Sequence, residues 1–122
     1  MQYDENIFID NKTGLMWQDD ESVKTTKMTW EEAISYAKNL KFAGYNDWRL
    51  PTRLELHSIT DKTKYDPAVK FGIKNVSSEW YWSGTLDVLD FDAACAVYFE
   101  CGRDFWWLKD YSFLVRCVRD SK

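Results

Sequence analysis

The sequence predicts an α+β fold, and three observations predict it: a short N-terminal run that reads as a hairpin, two helices opened by capping boxes, and an aromatic C-terminal half that reads as strands. Helices and strands fall in separate blocks along the chain. An antiparallel sheet carrying two helices follows from that order, and alternating βαβ units do not.

Ile7-Phe8-Ile9, then Asp10-Asn11-Lys12-Thr13-Gly14, then Leu15-Met16-Trp17 reads as strand, Gly-closed turn and strand. Such a hairpin pins the N-terminus to a sheet. Thr29-Trp30-Glu31-Glu32 opens the first helix, with Thr29 as N-cap and Glu32 three residues on to close a capping box. Trp30, Ala33, Ile34, Ala37 and Leu40 recur at helical spacing and predict one apolar face. Gly44 lies past the end, where a left-handed cap is favoured. Thr52 and Glu55 repeat the box after Leu50-Pro51, and Leu54, Leu56 and Ile59 supply apolar positions for a helix of two or three turns.

From Trp80 the pattern changes. Trp80-Tyr81-Trp82-Ser83 predicts a short strand with side chains alternating inside and outside the sheet. Asp92 to Cys101 alternates, placing Cys95, Val97, Phe99 and Cys101 on one face. Phe113 to Arg119 reads as another strand. The stretch from Gly102 to Ser112 connects the last two, which can pair as a hairpin with a long loop.

The 122 residues match one domain, and no repeat, low-complexity tract or Pro/Ser-rich linker divides residues 1–122. Net charge is −4 and no cluster of Lys and Arg stands free of acidic neighbours, which points away from nucleic acid as a partner. No apolar run approaches the roughly 18 residues of a membrane span. The start, Met-Gln-Tyr-Asp-Glu-Asn, lacks the basic and apolar regions of a signal peptide. Either the chain stays in the cytosol as written, or it is a piece of a longer exported protein. The aromatic fraction of 17% exceeds what one small core hides, so some rings are expected at the surface as binding anchors. Three cysteines leave at least one thiol unpaired, and one disulfide or none remain open.

The order of motifs carries a resemblance. Thr13-Gly14-Leu15-Met16-Trp17 comes first, then Thr29-Trp30-Glu31-Glu32-Ala33, then Asp47-Trp48-Arg49-Leu50-Pro51-Thr52. Tyr81-Trp82-Ser83 and Arg116-Cys117-Val118-Arg119 complete a series that closely resembles the bacterial Lcl C-terminal-like domain family over nearly the whole chain. The resemblance implies a C-type lectin-like fold, with two helices packed on a mostly antiparallel sheet and the chain ends close together. It implies exported or cell-surface relatives, several acting in adhesion or ligand binding. The same fold serves as the variable protein of diversity-generating retroelements, where the C-terminal face is diversified to bind new targets. Relatives often carry a Cys where this chain has Ala37, bridged to the position of Cys117, so here Cys117 is free or takes Cys95 or Cys101. The calcium and sugar motifs of animal lectins are missing, and calcium-dependent sugar binding is not implied.

The face expected to bind a protein or glycan is built by Leu86 to Asp92 and Arg103 to Phe113. Phe105, Trp106, Trp107 and Tyr111 are the candidate anchors, with Arg103, Asp104 and Lys109 setting orientation. Asp87, Asp90 and Phe91 come from the other segment. Trp106 and Trp107 are adjacent, so in extended backbone they cannot both be buried on one face. Asp87, Asp90 and Asp92 lack the spacing and turn glycine of a calcium loop and read as a solvated acidic loop. Trp48-Arg49-Leu50-Pro51-Thr52 reads as structural: a core indole, an arginine for a carboxylate or carbonyl, and a proline that sets up the helix start.

No metal, cofactor or catalytic activity is expected. His57, the single histidine, has no neighbouring motif that makes it a base, and no triad, phosphate loop or carboxylate pair emerges. The alternative is an enzyme related to formylglycine-generating oxidases, using Cys95 or Cys101. Their spacing and surroundings do not match, and a face lined by Val97 and Phe99 suggests inert, buried thiols. A purely structural domain of a longer exported protein is the third reading.

Overall fold

The computed structural model describes residues 5–121. Met1 to Asp4, most of the start read above for a leader, and Lys122 lie outside the described residues. β1 (Ile7–Asp10) and β2 (Leu15–Gln18) pair antiparallel with Ile9 opposite Met16, as expected. Asp10 organises the turn: its carboxylate accepts the Lys12 N–H at 3.0 Å and its carbonyl accepts the Gly14 N–H at 2.9 Å. Gly14 takes a φ of 74°, which favours glycine. The far side of β2 pairs with β8 (Val118–Asp120), so a three-stranded sheet in the order β1-β2-β8 joins the two ends of the chain.

Both helices start where the capping boxes put them. In α1 (Trp30–Asn39) the Thr29 hydroxyl accepts the Glu32 N–H at 3.4 Å and the Glu32 carboxylate accepts the Thr29 N–H at 2.8 Å. Trp30, Ala33 and Ala37 are buried, Leu40 is half-buried, and Ile34 sits at the rim, 36% exposed. Gly44 is not the cap of this helix. The chain turns extended at Leu40, and Ala43 and Gly44, both at positive φ, form a tight turn closed by paired Phe42 and Tyr45 backbone bonds of 3.0 Å. In α2 (Arg53–Ser58) the Thr52–Glu55 box forms as predicted, but the helix is only six residues long. Leu56 and Ile59 are fully buried, whereas Leu54 is 74% exposed. Two residues along a helix turn the side chain about 200°, so Leu56 and Leu54 cannot share the buried face.

The C-terminal half departs further from the expectation. A five-stranded sheet runs in the order β3-β7-β4-β5-β6, formed by β3 (Lys27–Met28), β4 (Trp80–Asp87), β5 (Asp90–Tyr98), β6 (Arg103–Leu108) and β7 (Phe113–Leu114). Residues 102–112 are therefore not one long loop, because β6 lies inside them. β5 pairs with β4 and β6, and the expected hairpin between β5 and the last strand does not form. Phe113 to Arg119 is not one strand either. It splits into β7 and β8, which belong to different sheets, around the buried bend Val115, Arg116 and Cys117.

The strand β4 is buried on both faces of the sheet, which overturns the alternation expected for residues 80–82: Tyr81 and Trp82 are both buried. On one face Trp82 packs with Trp30, Ala33, Ala37, Trp48 and Cys117. Ala94 and Ala96 of β5 lie in the same cluster, and their small side chains leave room for the indoles. On the other face Tyr81, Val97, Phe99 and Leu114 pack with Leu56, Ile59 and Trp17. Three buried indoles find acceptors: Trp30 Nε1 donates to the Ser83 carbonyl, Trp82 Nε1 to that of Met28, and Trp48 Nε1 to that of Phe42, at 2.9 to 3.0 Å.

All three cysteines are free. Cys117 is buried in the same cluster as Ala37, where a helix thiol would be needed to bridge it. Cys95 is buried as expected. Cys101 is exposed, because β5 ends at Tyr98 and Cys101 falls in the turn before β6.

Candidate functional site

The residues proposed for binding separate onto three surfaces. β5 and β6 pair with Ala94 opposite Trp107, Cys95 opposite Trp106, Ala96 opposite Phe105 and Val97 opposite Asp104. Opposed residues of an antiparallel pair point to one face. Phe105 and Trp107 therefore share the face of Ala94, Ala96 and α1. Asp104 and Trp106 share the face of Cys95, Val97 and α2. The expectation that adjacent Trp106 and Trp107 cannot both be buried on one face holds.

The first surface is a panel of rings. Trp107 is its centre, half-buried, with Trp80, Phe105, Tyr111 and Phe113 in edge-to-face contact at 5.1 to 5.4 Å. Tyr98 stacks on Trp80 at 4.7 Å, and the Arg103 guanidinium lies 5.7 Å over Trp80 and 5.6 Å over Tyr98. Phe105 is 56% and Tyr111 48% exposed. The Trp107 Nε1–H is shielded and has no acceptor among the described residues. Trp80 and Tyr98 lie outside the two segments expected to build the face, and Phe113, at the end of one of them, is not among the candidate anchors named from the sequence. The signal was available as the alternation of Arg103, Phe105 and Trp107, hidden once residues 102–112 are read as loop.

Asp104 faces the other way, into a charged chain along α2. Its Oδ2 accepts from Arg53 Nε at 2.5 Å and lies 2.6 Å from His57 Nε2. Lys62 Nζ lies 3.1 Å from the other His57 ring nitrogen and donates to Thr60 Oγ1 at 2.9 Å. Burial works to raise the Asp104 carboxyl, and the bonds from His57 and Arg53 outweigh it and hold it below the usual range. Asp104 is thus committed to tying β6 onto α2. Trp106, 39% exposed, sits on this side of the sheet with Leu108.

Lys109 is removed from the ring panel. Its Nζ lies 4.5 Å over the Trp30 ring and its carbonyl accepts the Trp30 N–H at 3.0 Å, fixing the start of α1. Asp87, Asp90 and Phe91 form the third surface, the β4–β5 hairpin tip. Asp87 Oδ1 accepts the Leu89 N–H at 2.9 Å and Asp90 Oδ1 the Asp92 N–H at 3.0 Å. Among the described residues no group of His, Cys, Asp or Glu could hold a metal ion.

The Trp48 to Thr52 motif is architectural. Trp48 and Leu50 are core residues, and Arg49 grips Glu55 with two bonds of 2.7 and 2.8 Å while its backbone pairs with Val118. Arg116 is the structural residue that the sequence reading missed. Almost fully buried, it donates to the Gln18 carbonyl at 2.6 Å, to Asp19 Oδ1 at 3.3 Å and to the Asn75 carbonyl.

The model of the Lcl C-terminal domain matches residues 6–119. The chain belongs to that family. The matched span runs from the turn before β1 into β8, taking in both sheets, both helices and all three candidate surfaces. No curated protein matches the sequence. Among the described residues no helix of this Lcl C-terminal domain is long and apolar enough to cross a membrane.

Proposed function

We propose that this Lcl C-terminal domain is a C-type-lectin-like recognition module that binds a protein partner, without catalysis, through the ring panel on β4, β5 and β6. The observation that carries the reading is the continuity of that panel: rings in mutual contact around Trp107, with Phe105 at the surface on the edge strand β6 and Tyr111 at the surface on the turn between β6 and β7. Exposed aromatics held in place lose little side-chain freedom on binding, and such residues carry most of the energy at protein interfaces. Arg103 already caps the faces of Trp80 and Tyr98, which leaves ring edges and the Phe105 and Tyr111 surfaces for contact. That favours a protein over a sugar ring stacked on an open indole face.

The thiol chemistry of the rival oxidase reading fits less well. Burial pushes the Cys95 thiol up to about 11, so at neutral pH it is protonated and a weak nucleophile, while the other candidate, Cys101, lies exposed in the turn before β6 and outside the sheet face that holds Cys95.

The test is a screen of the purified domain against arrays of cell-surface proteins and glycans, with and without calcium. A protein ligand is expected, and Phe105→Ala with Tyr111→Ala should weaken it by more than about 2 kcal/mol, roughly thirtyfold. Trp106→Ala, on the opposite face, should leave it within about threefold. Unchanged affinity in a folded Phe105/Tyr111 variant would remove the panel as the site.

A further inference from the structure

We infer that copies of this chain associate head to tail, the acidic apolar hairpin tip of one seating in a basic apolar groove of the next. This goes beyond the ring panel, which it leaves free. The tip, residues 86–92, carries Asp87, Asp90 and Asp92 and no cation, with Val88 81%, Leu89 93% and Phe91 67% exposed. Three large apolar side chains standing in water at one end of a hairpin are a surface in need of a partner. The turn is preorganised by the two Asp side-chain bonds to the Leu89 and Asp92 N–H groups, so seating it costs little ordering.

The complementary surface is the loop of residues 61–74. Phe71 is 93% and Tyr65 81% exposed, and a groove of about 480 Å³ runs between Lys64, Val69, Lys70, Phe71, Ile73 and Lys74. Residues 61–74 hold Lys62, Lys64, Lys70 and Lys74 against Asp61 and Asp66. Lys70 is engaged with Asp10 at 3.2 Å, and Lys64 is only loosely paired with Asp61 at 3.8 Å. A groove with apolar walls and a lysine rim matches a tip with aliphatic side chains and an aspartate rim, in sign and in polarity.

One molecule cannot satisfy itself. The Asp66 and Ala68 N–H groups donate to the Glu100 and Phe99 carbonyls, both at 2.7 Å, which anchors the groove loop at the Tyr98 end of β5. The tip lies at the Asp90 end, at the other end of this nine-residue strand, about 26 Å away along extended backbone. Two different surfaces at opposite poles make a heterologous contact, which builds chains or closed rings rather than a two-fold dimer.

Sedimentation velocity on the full chain across the micromolar range tests this. The average mass is expected to rise with concentration at low salt and to fall as salt is added. Leu89→Asp and the pair Lys64→Glu with Lys74→Glu should each weaken association at least tenfold while the circular dichroism spectrum is retained. Mixing the Asp90→Lys/Asp92→Lys variant with the Lys64→Glu/Lys74→Glu variant should restore it, since each then offers the other a matched surface. A monomer at every concentration in low salt would overturn the inference. So would association that survives Leu89→Asp, or one lost in Phe105→Ala, which would move the contact to the ring panel.

Discussion

Replacing Arg116 by Met tests what holds the segment before β4 against the rest of the fold. The guanidinium is 1% exposed and its partner Asp19 fully buried. Asp19 also accepts the Lys74 N–H at 3.0 Å and the Asn75 N–H at 2.8 Å, so one carboxylate and one guanidinium fasten residues 74–75 to the end of β2. Met fills much of the arginine's volume and supplies none of its donors. The Gln18 and Asn75 carbonyls lose a buried partner and the Asp19 carboxylate is left without its counter-charge. Breaking a buried pair by removing one member costs about 3–5 kcal/mol. With a urea slope of about 2 kcal/mol per M, the midpoint should fall by roughly 2 M. Total stabilities of about 5–15 kcal/mol make that a large fraction of the fold's reserve. Arg116→Lys keeps the charge but presents a single nitrogen to acceptors spread around a fork, so it should recover about half. A loss below about 1 kcal/mol for Arg116→Met, measured by urea unfolding followed through tryptophan fluorescence, would refute the account.

The two leucines of α2 should behave oppositely: Leu56→Ala is expected to cost about 2–5 kcal/mol and Leu54→Ala less than about 0.5, both read from urea midpoints. The hydrogen bonds from Arg49 hold the Glu55 carboxyl below its usual value of 4.5. Its stabilisation is therefore full above that value and lost as pH falls through the lower folded value, and thermal melts of Glu55→Gln between pH 3 and 7 should show a flatter acid limb than the parent chain. Labelling the native protein with a thiol reagent should modify Cys101 alone, with Cys95 and Cys117 reacting only in denaturant; a second fast thiol would contradict the burial.

Those elements that close on themselves within a few residues were legible. Both capping boxes and the β1–β2 turn form where the sequence puts them, because a hydroxyl, a carboxylate and two N–H groups three residues apart settle a helix start among themselves. The candidate site was legible in content and not in arrangement. Aromatic excess pointed to Phe105, Trp107 and Tyr111, yet which rings meet them depends on β4 lying beside β5, and that pairing is not local.

Composition and short-range spacing by themselves determined the class of this protein: an α+β chain with two capped helices, too many rings for its core and no basic stripe, while the order of its motifs carried the resemblance to the family. Tertiary structure decided the rest. It threaded β4 between β5 and β7, found a sixth strand in an expected loop, and split residues 113–119 between two sheets. It sent Trp106 and Asp104 to one face and Phe105 and Trp107 to the other. The physical reason is that a strand's partners are chosen by backbone groups far apart in sequence and by the burial of both faces at once. A pattern of period two tells which residues share a face, and only the assembled sheet tells what that face meets.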